Sequence, residues 1–192
     1  MQDTTGQPVT VIGREVQSGA YLLRIHVAEP LAVTFGRFRD GESLPFPPGD
    51  YLYAGSAMGH KGATTLARRL VRHATRSGGR APHRIREQML ATFAGVGLGR
   101  GDLRPRRPKS LFWHVDYLLD LPDVTLTHVL AIRSSERLEG ALAALVAAQC
   151  YTYVPARGLG ASDTPGATHL FSVQSRPGWW PKLLRRVQAH IL

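Results

Sequence analysis

GDYLYAGSA, residues 49–57, brings a strand into a Gly-Ser pair, and the fold is read outward from its alternation. Successive side chains of a strand point to opposite faces. Tyr51, Tyr53 and Gly55 therefore share one face, and Leu52 and Ala54 take the other. Two polar-tipped rings stand on one side, and the chain turns at Gly55 toward a segment dense in arginine. Taken by itself the stretch also reads as a half-buried strand with aromatic packing. The residues around it give the tyrosines a second use.

Upstream, GAYLLRIHVAE (19–29) alternates in the same way, with Tyr21, Leu23, Ile25 and Val27 on one face, and predicts a strand over 19–28. A second strand is expected over 33–38, followed by Asp-Gly and proline turn chemistry at 39–49. Downstream of 50–56, TTLARRLVRHATRS (64–77) predicts a helix, with Thr64 as cap, Leu66, Leu70 and Val71 as apolar stripe, and Gly78-Gly79 as stop. LFWHVDYLLD (111–120) reads as a short helix, 124–132 as a strand and 135–149 as a helix carrying Leu138, Leu142, Leu145 and Val146. A glycine-rich loop (156–167), a short strand (168–173) and an amphipathic helix (179–192) complete the chain. The expected fold class is α/β (α+β): a small, mainly antiparallel sheet of 19–28, 33–38, 50–56 and 124–132, flanked by helices. Residues 1–14 read as a loose lead-in, 15–175 as one domain with an insert at 78–110, and 176–192 as a terminal helix.

Composition narrows the function. The 192 residues are 43% hydrophobic, as in a folded domain, and the net charge is +10. Residues 68–109 hold twelve Arg and Lys against only Glu87 and Asp102, which accounts for the whole excess; the other residues balance twelve against twelve. A charge excess confined to one segment is a footprint for a polyanion, and its arginine bias suits bidentate phosphate contact. A solvated, solubilising face is the alternative. Arg68, Arg72, Arg76, Arg80, Arg84, Arg104, Arg106 and Arg107 are the expected nucleic-acid contacts, with DNA ahead of RNA. The middle of 78–110, about Pro82 to Phe93, reads as a short helix; the rest is Gly, Arg and Pro, and the segment is expected to be a basic arm, partly disordered when free. The single cysteine, Cys150, excludes an intramolecular disulfide and a cysteine-based zinc site. No run of about 18 apolar residues spans a membrane. No basic-then-apolar leader opens the chain, so a cytoplasmic protein is expected. GHKGATT lacks the offsets of a P-loop, HExxH is absent, and RGLGASD is too short for a dinucleotide fingerprint.

The chemistry-bearing residues gather around the opening stretch. Arg69 and His73 lie four apart on one helix face. Tyr21 sits on a strand able to neighbour Tyr53, and Glu139 opens a helix. Should these elements converge, two phenols, a guanidinium, an imidazole and a carboxylate form a set able to hydrolyse a phosphodiester. GAY (19–21), YAG (53–55), RRLVRH (68–73), WHVDYLL (113–119) and LEGALA (138–143), taken in that order, resemble the GIY-YIG endonuclease superfamily, in a branch with widely spaced motifs. Both motifs carry Ala at the middle position, where an aliphatic is common in that family. The branch often has cysteines in the segment that here reads SDTPGATHL, and this chain has none.

The resemblance implies a nuclease-like fold and a Mg2+- or Mn2+-dependent endonuclease, with Tyr21, Tyr53, Arg69, His73 and His114 catalytic and Glu139 holding the metal. Each residue also has a plainer reading: the tyrosines as packed rings, Arg69 as a solvated charge, His114 as a structural histidine and Glu139 as partner of a helix dipole, with Glu136 its rival as ligand. Asp116, Asp163 and His169 read as structural. The functional alternatives are a non-catalytic nucleic-acid-binding module on the same scaffold and a phosphometabolite hydrolase.

Overall fold

A computed structural model describes residues 7–160 and 167–191. The protein is a mixed α/β fold. Strands β1 (Val9–Ile12), β2 (Gly19–Val27), β5 (Gly49–Ala57), β6 (Val124–Arg133), β7 (Thr152–Tyr153) and β8 (Leu170–Val173) form one sheet in the order β1-β6-β2-β5-β8-β7. Every pairing is antiparallel except β1 with β6. Strands β3 (Leu31–Thr34) and β4 (Ser43–Phe46) form a separate hairpin. The helices are α1 (Leu66–His73), α2 (Ile85–Gly95), α3 (His114–Leu119), α4 (Glu139–Ala147) and α5 (Trp179–Ile191).

Alternation along β2 and β5 builds a core on each face. Tyr21, Leu23, Ile25 and Val27 join Tyr51, Tyr53 and Ala57 in the larger core, with Leu66, Leu70 and Val71 of α1, Phe93 of α2 and Val115 of α3. Ala20, Leu22, Leu52 and Ala54 face the other way, against Leu142 and Val146 of α4 and Trp180, Leu183 and Leu184 of α5. The sheet is thus buried on both sides.

Four expectations are corrected. The stretch 33–38 lies outside the main sheet: its strand ends at Thr34, and Phe35 buries against Phe46 of the hairpin. The lead-in contributes an edge strand, because Val9–Ile12 pair in register with Val129–Ile132. Helix α1 is shorter than 64–77; a 3-10 turn occupies Gly62–Thr64, Thr65 takes the N-cap position, and Thr64 is no cap. The insert 78–110 is not a loose arm. Its helix α2 falls where the short helix at about 82–93 is expected, but the segment as a whole is packed: Ile85, Met89, Phe93, Leu98 and Leu103 are buried in the larger core. Those five apolar side chains offset the ordering entropy that the arginine-rich composition seemed unable to repay.

Candidate active site

Register on β2 and β5 sets the first two residues. Tyr21 pairs with Gly55 and Leu23 with Tyr53, so the two tyrosines are diagonal neighbours on one face, their ring centroids 6.2 Å apart. Gly55 is required here by space: a Cβ on it would lie 2.5 Å from the Tyr21 ring. The glycine in YAG thus leaves room for the tyrosine in GAY.

Behind Tyr21 runs a buried relay. The Tyr21 hydroxyl lies 2.9 Å from His73 Nε2, and His73 Nδ1 lies 3.1 Å from Asp116 Oδ1. His73 and Asp116 are wholly buried. Arg72 Nη1 reaches Asp116 Oδ2 at 2.8 Å, Lys109 Nζ reaches Oδ1 at 3.3 Å, and the amides of Phe112 and Trp113 donate to Oδ2 at 3.2 Å each. Burial opposes the charge on Asp116, but the hydrogen bond from His73 and the charges of Lys109 and Arg72 outweigh it and hold the carboxyl well below its ordinary range. An ionised carboxylate only accepts, so His73 donates from Nδ1. Burial, helped by the Lys109 and Arg72 charges, lowers the His73 pKa and keeps the ring neutral. Its Nε2 is then the acceptor, and Tyr21 donates to it. Burial also raises the pKa of Tyr21 and of Tyr53, so both are neutral phenols at rest.

Tyr21, Tyr53, Ser56, Arg69, Trp113, Arg137 and Glu139 line a polar cavity of about 160 Å3. The Arg69 guanidinium carbon lies 4.1 Å over the Trp113 ring, a cation–π contact. Its Nε is buried and makes no hydrogen bond to the protein. Glu139, the first residue of α4, accepts a hydrogen bond from Ser56 Oγ, and His169 Nδ1 lies 3.0 Å from its Oε1. Burial opposes its ionisation, but His169 and Ser56 outweigh that, so its pKa lies below the usual carboxylate value. One carboxylate and one guanidinium, its Nε unpartnered, face the same small space. Among the described residues no group of three or more His, Cys, Asp or Glu gathers as a metal site. A single hard carboxylate still suits Mg2+ or Mn2+, because Mg2+ usually keeps its waters and takes the rest of its ligands from substrate phosphates.

Five of the six residues expected in catalysis or metal binding converge: Tyr21, Tyr53, Arg69 and Glu139 on the cavity, and His73 behind Tyr21. His114 does not line it. Its Nδ1 accepts the Gly160 amide at 2.9 Å, and its ring packs edge-on against Phe38. It positions the loop that ends at Gly160, whose φ of +93° favours glycine and whose added Cβ would crowd Tyr53. Glu136 is exposed and off the cavity. Asp163 lies outside the described residues. Asp116 and His169, read as structural from sequence, belong to the site. The signal for Asp116 was an acid embedded in the apolar run WHVDYLL; Ser56, Arg137 and Lys109 carried none.

The basic segment divides. Arg72 is engaged by Asp116; Arg76 Nη2 donates to the carbonyls of Leu121 and Val124, and Arg80 pairs with Asp120. These three arginines serve the fold, a correction to their expected role as phosphate contacts, since buried or half-buried carbonyls and carboxylates hold their donors. Arg84, Arg106 and Arg107 are exposed, Arg68 is half-buried with one donor on the Arg100 carbonyl, and Arg104 pairs with Glu87.

A family model described as "Domain of unknown function DUF123" matches residues 20–190. That span contains every residue of the site. The chain matches no curated protein and no solved structure.

Proposed function

The chain belongs to the DUF123 family, and we propose that this member is a divalent-metal-dependent endonuclease of GIY-YIG type, hydrolysing phosphodiester bonds in nucleic acid, DNA ahead of RNA. The observation that carries the reading is the cavity itself: Tyr21, backed by a neutral His73, faces it together with Arg69 and Glu139. Neither carboxylate chemistry alone nor a plain binding cleft needs a buried Tyr–His–Asp line behind one of its walls.

In this reading Tyr21 is the general base. Its own proton moves to His73 Nε2, and its oxygen accepts a proton from the attacking water. The water oxygen bonds to phosphorus as the bond from phosphorus to the leaving oxygen breaks, and that oxygen takes a proton from solvent. Asp116 steadies the imidazolium that forms, opposing the cost of burial. Arg69, held over Trp113, faces the charge that builds on the phosphoryl oxygens. Tyr53 packs beside Tyr21 and can donate its hydroxyl to the phosphate. Glu139 would hold the metal, oriented by Ser56 and His169. When bound, the metal supplies Lewis-acid stabilisation of the phosphate and leaving oxygen. We place the protein in the cytoplasm, a reading supported by one exposed, unpaired cysteine.

The test is incubation with labelled single-stranded, duplex and branched DNA and RNA, with Mg2+, with Mn2+ and with chelator. Metal-dependent nicking that Arg69→Ala and Glu139→Gln both abolish is the expected result. Binding without cleavage on every substrate would leave only the non-catalytic binding module.

A further inference from the structure

A second concavity, of about 590 Å3, lies along the end of the insert and is lined by Arg68, Arg72, Arg104, Arg106 and Arg107, with Gly62 and Ala63 as one wall. It shares a boundary with the cavity described above. Arg72 lines this groove, Trp113 lines the cavity, and the Arg72 guanidinium stacks 4.8 Å from the Trp113 ring centroid. At the same boundary stands Phe112. It is 69% exposed, the most exposed large apolar side chain among the described residues, and its ring meets Trp113 edge-on at 4.8 Å. Phe112 lines neither space; it follows Ser110 of the groove by two residues and touches Trp113 of the cavity, and burial does not explain an aromatic ring left in water there.

We propose that this groove carries an unpaired nucleic-acid strand toward the cavity, its phosphates on Arg68, Arg106 and Arg107 and one base stacked on Phe112. The proposal takes the strand's destination from the phosphodiester reading above, and its own content is the class of substrate. A positive groove that tracks the backbone, combined with an exposed aromatic, is the physical signature of single-strand binding, because every unpaired base has a free π face. In duplex the bases stack on one another and offer an approaching side chain only their edges. Phosphate contacts alone would serve duplex, and Phe112 would then be idle. Glu87 and Asp102 both engage Arg104, and Asp116 engages Arg72, which leaves Arg68, Arg106 and Arg107 to the groove.

The test uses the full chain in chelator, so that binding is read without cleavage. Fluorescence anisotropy compares a labelled oligothymidylate of about twenty nucleotides with a duplex of the same length. The single strand is expected to bind more tightly. Phe112→Ala should weaken single-strand binding roughly five- to a hundredfold, the range that loss of one stacked base spans, and leave duplex binding unchanged. Phe112→Trp should restore it. Replacing Arg68, Arg106 and Arg107 together by Gln should flatten the plot of log affinity against log salt by about two for single strands, at ~0.7 per contact. Equal affinity for duplex, or a Phe112→Ala variant that binds the single strand as the parent does, overturns the proposal. Failure of cleavage under every metal would sink the nuclease reading and leave these binding results standing.

Discussion

Replacing Asp116 by Asn probes the buried line behind Tyr21 most directly. Both carboxylate oxygens are used: Oδ1 by His73 and Lys109, and Oδ2 by Arg72 and the Phe112 and Trp113 amides. Asparagine keeps one acceptor and adds an N–H2. Whichever way the amide turns, that group faces at least two donors. The Lys109 ammonium, whose side chain is wholly buried, also loses its counter-charge. Breaking a buried pair by removing one partner costs about 3–5 kcal/mol. A chain of this size loses roughly 2–4 °C in Tm per kcal/mol, so Tm should fall by about 6–20 °C. Urea unfolding followed by circular dichroism measures the loss, with an unchanged m value as the check on two-state behaviour. A double-mutant cycle isolates the pair. Lys109→Met alone strands the Thr75 carbonyl that Nζ serves at 2.9 Å and so destabilises too, but combined with Asp116→Asn it removes the uncompensated ammonium. The double variant should therefore cost at least about 1 kcal/mol less than the two single losses together. A loss under about 1 kcal/mol for Asp116→Asn, or simple additivity, would refute the idea that Asp116 is held ionised by these cations.

Arg69→Ala should abolish cleavage while nucleic-acid affinity, measured in chelator, falls less than about tenfold, because one arginine of a large basic set adds little to overall attraction; Glu139→Gln should abolish metal-dependent cleavage and Glu136→Gln should not. Acid should begin to weaken the fold near pH 6.5, through buried neutral histidine. His83 accepts the Leu126 amide on Nδ1 and donates from Nε2 to the Leu119 carbonyl, and burial lowers its pKa to about 4; the unfolded chain therefore takes up a proton at this residue below about pH 6.5 that the folded chain refuses, and His83 contributes about 1.4 kcal/mol per pH unit of lost stability down to about pH 4, beside a separate contribution from His128, which burial also lowers to about 4. His83→Gln should flatten that slope in urea titrations across the window, and an unchanged slope would show that His83 is not the group responsible. Phe93→Ala should cost about 3–5 kcal/mol by thermal melting, since the ring is wholly buried; a variant as stable as the parent would return the insert to a dispensable arm.

Alternation made most of the sheet legible. The period of two over Tyr21–Val27 and over Tyr51–Ala57 sorts side chains between two cores, and both cores are buried. Alternation says nothing about which strands neighbour which, so the hairpin of β3 and β4 and the parallel edge strand β1 were out of reach. The insert was misread for a different reason. Its apolar residues, Ile85, Met89, Phe93, Leu98 and Leu103, are spread thinly among Arg, Gly and Pro, and only the tertiary surface they meet shows that they pack together. Arg69 and His73 were legible because four residues on a helix bring them to one face. Ser56 and Arg137 were not, since each reaches the cavity from a place where sequence spacing carries no partner information.

The charge excess divides along the same line. Twelve basic residues in 68–109 suggest a uniform footprint, but two buried acids take a share of them. Asp116 takes Arg72 and Lys109, and Asp120 takes Arg80. These pairs are set by folding, and mutating them tests stability before it tests binding. Arg106 and Arg107 remain exposed in the groove, and Arg69 remains with a buried Nε that no protein acceptor meets. A guanidinium nitrogen left unpaired in a polar cavity is costly unless a ligand completes it. The cost at Arg69 and the exposed ring of Phe112 are two separate departures from what folding alone would choose. Both touch Trp113, which lies under the Arg69 guanidinium and meets Phe112 edge-on. One strand passing over that indole would satisfy both, presenting a phosphate to the first and a base to the second.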